Sequence, residues 1–84
     1  MTPKTTKVNL PKSGMGIEEG TVARWLKGVG DQVHQGEVLV EIETAKALQE
    51  VQVPVGGILA QILVNVGETV PVNTTLAVIE DALG

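Results

Sequence analysis

GTVARWLKGVGDQVHQGEVLVEIET, residues 20–44, and GILAQILVNVGETVPVNTTLAVIED, residues 57–81, are two versions of one pattern. They align without a gap at a constant offset of 37 residues, and nine of the twenty-five pairs are identical. The identical positions include the first glycine, a Val-Gly turn and the Leu and Ile of the last segment. A repeat of this kind indicates that each copy is one structural unit and that the units bury a shared core. The sequence therefore predicts a domain with pseudo-twofold symmetry.

Both copies are predicted to consist of short strands, because apolar and polar residues alternate along them. In residues 38–43 the pattern predicts an inward face of Val38, Val40 and Ile42 and an outward face made by the two glutamates. The two valines of residues 50–53 alternate with polar neighbours in the same way. No segment has helical periodicity, and Gly, Pro and Asn separate the apolar stretches. We therefore expect an all-β sandwich or flattened barrel.

The composition limits the architecture and the kind of site. Eighty-four residues are enough for one domain, and without cysteine the fold must rest on the 43% of residues that are apolar. No apolar stretch is long enough to cross a bilayer, and the N-terminus lacks the apolar stretch of a secretory signal, so we expect no membrane association. Half of the six basic residues lie in the first twelve positions, at Lys4, Lys7 and Lys12. Residues 13–84 therefore contain three basic and ten acidic residues, which gives them a net charge of −7. Such a surface argues against nucleic-acid binding and favours basic protein partners.

The two halves differ in the segment that leads into them. Pro11 stands nine residues before Gly20, whereas Pro54 stands three residues before Gly57, so the first half has about six extra residues, 12–17. We expect a surface loop here, formed by Lys12, Ser13, Gly14, Met15 and Gly16. Loops on a rigid scaffold often carry recognition, although a tolerated insertion without function explains the loop equally well.

The segment between the copies, residues 41–51, is predicted to be a β-hairpin centred near Ala45 and Lys46. Lys46 would then lie at the tip. Leu48, two positions farther on, would share the solvent-facing side of the returning strand with Glu50 and Gln52, which exposes an apolar group beside the lysine. A lone surface lysine is usually only a solvated charge.

The motifs around this lysine change that interpretation. The sequence resembles the lipoyl domains of 2-oxo acid dehydrogenase complexes over about residues 8–79, on the motifs Glu-Gly-Thr-Val (19–22), Trp-Leu-Lys-x-Val-Gly-Asp (25–31), Gly-x-x-Leu-x-Glu-Ile-Glu-Thr-x-Lys-Ala (36–47) and Pro-x-x-Gly-x-Leu (54–59). The resemblance implies a single biotinyl/lipoyl attachment domain with two antiparallel four-stranded sheets. It also implies lipoic acid in amide linkage on Lys46, with flanking recognition by Glu43, Thr44, Ala45, Ala47 and Leu48.

Two positions depart from the family pattern. Ala45 stands where the family usually has Asp before the lysine, which bears on partner recognition more than on fold or attachment. Gln49 stands where the family tends to have an inward apolar residue, and we expect it at the open end of the hairpin, where it can stay hydrated.

Two alternatives remain in the same fold. One is a biotin carboxyl-carrier domain, although those proteins resemble Met-Lys-Met around their lysine, whereas alanines flank Lys46. The other is an unmodified lipoyl-like adaptor. An enzyme is not expected: we interpret His34 as a surface residue, Trp25 as packed on the sheet, and the glutamates at 41, 43 and 50 as a solvated acidic face. No metal site is predicted.

The resemblance also implies partners. These are a lipoate ligase or lipoyl transferase, a thiamine-diphosphate 2-oxo acid decarboxylase, an acyltransferase and dihydrolipoamide dehydrogenase. We expect a monomeric domain over residues 7–81, a flexible tail at 1–6 and the start of a tail or linker at 82–84. The expected location is the bacterial cytoplasm or, in a eukaryote, the mitochondrial matrix.

Overall fold

Eight strands form the domain in the computed structural model, which describes residues 4–12 and 16–81. They are β1 (Thr5–Asn9), β2 (Glu19–Trp25), β3 (Gln32–Val33), β4 (Val38–Glu43), β5 (Leu48–Gln52), β6 (Gly57–Ile62), β7 (Thr69–Pro71) and β8 (Thr75–Glu80). Two antiparallel four-stranded sheets result, ordered β1-β8-β6-β3 and β5-β4-β2-β7. The predicted all-β class and the two sheets are confirmed. No helix of the described residues is long and apolar enough to cross a membrane.

The predicted pseudo-twofold relation appears in the sheet order, where β1, β8, β6 and β3 of one sheet match β5, β4, β2 and β7 of the other. It extends to individual backbone hydrogen bonds. Leu26 N–H donates to Leu39 C=O over 2.9 Å, and 37 residues later Leu63 N–H donates to Leu76 C=O over 2.8 Å. The two turn glycines bond across to the other copy in the same manner, Gly30 N–H to Leu59 C=O and Gly67 N–H to Val22 C=O, each over 2.8 Å. The copies therefore interlock rather than lie side by side.

The glycine that opens each copy is required by close packing. A Cβ on Gly20 would collide with the Ile42 side chain, and a Cβ on Gly57 would collide with the Glu80 backbone oxygen. Because Ile42 and Glu80 lie on the equivalent strands β4 and β8, the same crowding occurs in both halves. This explains why the repeat keeps glycine at both positions.

The core lies between the sheets and draws on both copies. Leu39, Ile42, Leu59, Leu76 and Ile79 are fully buried within it. Trp25 packs against the edge of this core, as predicted, and its indole Nε1–H donates to the Val64 carbonyl over 2.9 Å. That bond satisfies the one polar group of the indole and ties the end of β2 to the second copy.

The prediction of strict alternation along β4 was wrong at the start of this strand. The register with β5 shifts between Val38 and Val40, so both Leu39 and Val40 are fully buried while Val38 is only half-buried. A β-bulge turns two consecutive residues toward one face, which an alternation rule does not anticipate. Glu41 also departs from the prediction: its side chain is only 17% exposed and pairs with the Arg24 guanidinium at 3.4 Å.

The N-terminal boundary differs from the prediction as well. β1 begins at Thr5, and the Lys4 carbonyl accepts a hydrogen bond from the Asp81 amide over 2.8 Å. Residues 4–6 therefore belong to the sheet and not to a tail, while 1–3 and 82–84 lie outside the described residues. In the inserted loop, Ile17 is buried, so the exposed part ends at Gly16, and Ser13, Gly14 and Met15 lie outside the described residues.

Candidate functional site

The hairpin between β4 and β5 presents Lys46, as the sequence predicted. The last strand pair is Glu43 with Leu48, and beyond it the Thr44 amide donates to the Ala47 carbonyl over 2.9 Å. Ala45 and Lys46 thus form a two-residue loop, and both are exposed. The sheet fixes the base of the lysine, and its side chain is exposed.

The Thr44 hydroxyl lies inside this turn. It donates to the Ala47 carbonyl over 2.9 Å, and it accepts from the Ala47 amide at 3.2 Å and the Lys46 amide at 3.3 Å. Thr44 is half-buried. The sequence marked Thr44 only as a flanking residue, whereas the structure gives it three contacts within the tip.

An open cleft of about 550 Å³ separates the hairpin from the segment that enters β2, with residues 16–21 on one wall and residues 43–48 on the other. The end of the predicted partner loop, Gly16, therefore lines the same cleft as Lys46, whereas Lys12 is exposed outside this cleft. Sequence reasoning missed Ile17, Glu18 and Glu19, which also line the cleft. A buried isoleucine directly after a polar, glycine-rich loop was the available signal for where that loop returns to the fold.

Leu48 is the exposed apolar group that the alternation predicted, with 55% of its surface in solvent. The side chains that follow Leu48 on β5 alternate between less and more exposed, and Val51 is buried. Gln49 pairs with Ile42, next to the last strand pair before the turn, so the prediction of a place at the open end of the hairpin is wrong. It is half-buried and engaged in a polar interaction. The other large exposed apolar residues among 4–12 and 16–81 form symmetric pairs, Leu26 with Leu63 and Val29 with Val66. The counterpart of Leu48 on β1 is Thr5, so its exposure does not come from the repeat.

The walls of the cleft are acidic. Glu18, Glu19 and Glu43 are all exposed there, and Lys46 is the one basic residue among those that line it. An amide formed at the lysine Nζ would remove that positive charge. The tip would then present an apolar side chain within a negatively charged rim.

The remaining candidate side chains lie away from the tip. His34 is exposed and contacts Glu37 with its Nδ1 at 3.2 Å, and the Lys27 ammonium approaches the same carboxylate at 3.3 Å. The His34 backbone N–H donates to Glu37 over 2.6 Å, and chiefly this bond holds the Glu37 pKa below its ordinary value of 4.5. These groups brace the turn between β3 and β4. No cluster of three metal-ligating side chains occurs within residues 4–12 and 16–81.

The hairpin tip and the two ends of the described chain lie at opposite ends of a body 42 Å long and 19 Å wide. β1 runs from Lys4, beside Asp81, to Leu10, whose side chain lies against Gly20. Gly20 in turn adjoins the Thr21–Glu43 pair at the base of the hairpin. An attachment to another domain through either end would thus leave the lysine pointing away from it.

Known proteins match this arrangement. The family described as "Biotin-requiring enzyme" matches residues 6–79. The dihydrolipoyllysine-residue succinyltransferase component of the Staphylococcus saprophyticus 2-oxoglutarate dehydrogenase complex is 44% identical over 78 residues, which are 93% of this chain and 18% of that protein. The acetyltransferase component of the Corynebacterium glutamicum pyruvate dehydrogenase complex is 41% identical over 81 residues, 96% of this chain and 12% of that protein. The chain therefore spans less than a fifth of these relatives.

A solved structure matches over nearly its whole length. The lipoyl domain of the 2-oxoglutarate dehydrogenase complex from Azotobacter vinelandii has a TM-score of 0.69 and 33% identity, and the match covers 92% of this chain and 99% of that domain. The two-sheet fold, the family match and these relatives agree with one another. The chain belongs to the family of biotin- and lipoyl-attachment domains, as a member of the lipoyl type.

Proposed function

We propose that Lys46 carries lipoic acid in amide linkage and that the domain moves acyl groups and reducing equivalents between the components of a 2-oxo acid dehydrogenase-type complex. The observation that carries the proposal is the position of Lys46 in the two-residue loop at the tip of the β4–β5 hairpin. The lipoyl-domain relatives support it.

The structure suits the work of a swinging arm. When bound, the lipoyl group supplies a ring disulfide that takes up an acyl group and two electrons. The domain has to hold the root of the arm and determine which partners reach it. The β4–β5 pairing fixes the root, and the exposed lysine stem gives reach. Tethering makes the encounters of the arm with successive active sites effectively intramolecular, which raises their rate.

The neighbours of Lys46 favour lipoate over biotin. Ala45 and Ala47 on either side are small and exposed, unlike the methionines that the biotin-carrier pattern would place there. The solved neighbour that matches along nearly its whole length is a lipoyl domain. Biotin attachment by the same lysine is the second candidate, because the family profile covers biotin-requiring enzymes.

We further propose that a lipoate ligase or transferase, a thiamine-diphosphate decarboxylase, an acyltransferase and dihydrolipoamide dehydrogenase are the partners. The relatives named above are acyltransferase components of such complexes. The acidic walls of the cleft suit basic partner surfaces, since complementary charge steers encounter.

The test is the intact mass of the protein after incubation with lipoate ligase, lipoate and ATP. We expect a gain of one lipoyl group in the wild type and none in Lys46→Ala. The variant should fold normally, within about 0.5 kcal/mol of the wild type, because an exposed side chain at a loop tip contributes little to stability. Lys12→Ala, which removes another exposed lysine, should be modified like the wild type. Lipoylation of Lys46→Ala, or a gain of biotin but not lipoate with the corresponding ligases, would overturn the proposal.

A further inference from the structure

We propose that Thr44 is a positioning residue that holds the Lys46 backbone in the one turn conformation a modifying enzyme can use. This role rests on the proposed function of Lys46 and makes the orientation of that lysine depend on Thr44. It differs from the expectation that Thr44 belongs to the surface recognised by partners.

The hydroxyl of Thr44 has no capacity left for a partner. A threonine hydroxyl offers one donor and two acceptor positions. The donor goes to the Ala47 carbonyl at 2.9 Å, and the acceptors receive the Ala47 and Lys46 amides at 3.2 and 3.3 Å. A group whose bonds all lie within the turn acts on the turn.

The turn needs such a brace because of its residues. Two-residue hairpin loops usually place Gly, Asn or Asp at positive φ, which matches the twist of the strands. Ala45 and Lys46 do not: among the described non-glycine residues only Asn73 has positive φ. The loop therefore adopts a conformation that strand twist does not favour. The Thr44 hydroxyl accepts a hydrogen bond from the Ala47 amide and donates one to the Ala47 carbonyl. That carbonyl also accepts a hydrogen bond from the Thr44 amide at 2.9 Å.

The pseudo-twofold relation gives an internal comparison. At the equivalent place in the other half, the Asp81 amide donates to the Lys4 carbonyl over 2.8 Å, so the same strand-end bond is made. Asp81 stands where Thr44 stands, and no side-chain bond like those of Thr44 braces the residues described there. The backbone bond at the strand end therefore forms without a threonine hydroxyl. We infer that the Thr44 hydroxyl acts instead on the two-residue loop that bears Lys46.

The bond to the Lys46 amide connects this brace to the reactive side chain. It fixes the backbone nitrogen of the residue that carries the amine, and thereby the direction in which its side chain leaves the tip. A nucleophile displaced by about 1 Å from a preorganised active site can lose up to about a hundredfold in rate. We therefore expect loss of the hydroxyl to reduce turnover rather than binding.

The experiment compares Thr44→Val, which keeps the branched shape, with Thr44→Ser, which keeps the hydroxyl. Two readouts are taken on the folded protein: hydrogen exchange of the Lys46 and Ala47 amides, and the kinetics of lipoylation by ligase with lipoate and ATP. In Thr44→Val we expect exchange at both amides to quicken about fivefold or more, as loss of one hydrogen bond implies. The lipoylation kcat should fall about tenfold, with KM for the domain within about twofold.

Thr44→Ser keeps the hydroxyl, so we expect its amide exchange rates and its lipoylation kcat to match those of the wild type. Thr75→Val is the matched control, because Thr75 is also half-buried, its hydroxyl bonds Asn9 at 2.8 Å, and neither residue lines the cleft at the hairpin tip. It should change neither readout. A raised KM with unchanged exchange in Thr44→Val, or a Thr44→Ser variant as slow as Thr44→Val, would overturn the proposal. If the wild type took up no lipoate, the function of Lys46 would fall, whereas exchange would still decide whether Thr44 braces the loop.

Discussion

Leu48 shows how much the environment of one residue can indicate. Its side chain stands exposed two positions from Lys46, and four further exposed apolar residues are matched in pairs by the repeat. A feature that both halves share is explained by the fold, whereas one present in a single half calls for a local reason. Leu48 lines the same cleft as Lys46, where the proposed function would bring a partner. Its exposure could be predicted from alternation along β5.

We therefore predict that Leu48→Ser slows either lipoylation or acyl loading of the arm by the decarboxylase about tenfold, since an apolar anchor at the centre of a contact is worth about 1–2 kcal/mol. Stability should change by no more than about 0.5 kcal/mol. Leu63→Ser is the control, because Leu63 is 51% exposed against 55% for Leu48 and lies outside the cleft. Equal rates for both variants and the wild type would make Leu48 an incidental surface residue.

At the scale of the element, the turn between β3 and β4 depends on one carboxylate. Glu37 accepts the His34 backbone amide at 2.6 Å, contacts the His34 ring and pairs with Lys27. These contacts favour the charged form and lower the Glu37 pKa below 4.5 in the folded state. A depressed folded pKa means that the stability from this group is present above its unfolded value and disappears as pH falls through the folded pKa.

We predict that Glu37→Gln lowers the midpoint of thermal unfolding at pH 7, and that the gap from the wild type narrows as pH falls below about 4.5. Thermal melts of both proteins between pH 7 and pH 3 measure this. Glu50→Gln, which removes a carboxylate at an exposed position on β5, is the control and should not lower the midpoint at pH 7. A gap for Glu37→Gln that stays constant over the whole range would mean that the carboxylate charge does not brace the turn.

The elements also show where sequence reasoning reaches its limit. The β4–β5 hairpin could be predicted because apolar and polar residues alternate on both sides of a short segment without such alternation, residues 44–47. The bulge in β4 could not, since residues 38–40 are all apolar and alternation leaves open which of them face inward. The start of the domain was placed too late, at residue 7, because Thr5 and Thr6 are polar and lie outside the two aligned copies. Thr44 could be identified as a flanking residue but its hydrogen bonds within the turn could not, because they depend on the turn conformation, which alternation does not describe.

On the scale of the whole molecule, the pseudo-twofold symmetry distinguishes the features that build the fold from those that surround the candidate site. The paired hydrogen bonds, the crowded glycines and the shared core recur in both halves and build the sandwich. The loop before β2, the closed hairpin tip and Leu48 occur in one half only. The second half has the place for an equivalent tip, at the Asp81–Lys4 pair, but there the chain is not closed into a hairpin.

A circular permutation tests this division. Asp81 is joined to residue 4 through Ala-Lys together with Lys4→Ala, and the original loop is opened between residues 45 and 46 with Lys46→Ala, so that the new tip bears a single lysine. The permuted chain should fold, because the Asp81 amide already donates to the Lys4 carbonyl over 2.8 Å and a two-residue loop fits that pair. The new lysine should be lipoylated about tenfold more slowly than Lys46, since it lacks both the threonine brace and the loop beside the first tip. Asp81→Thr in the permuted chain should recover part of the rate. Intact mass with time, next to circular dichroism of each protein, gives the answer. A permuted chain that folds and is lipoylated as fast as the wild type would show that the ligase needs only a hairpin-tip lysine, and a chain that fails to fold would contradict the equivalence of the two ends.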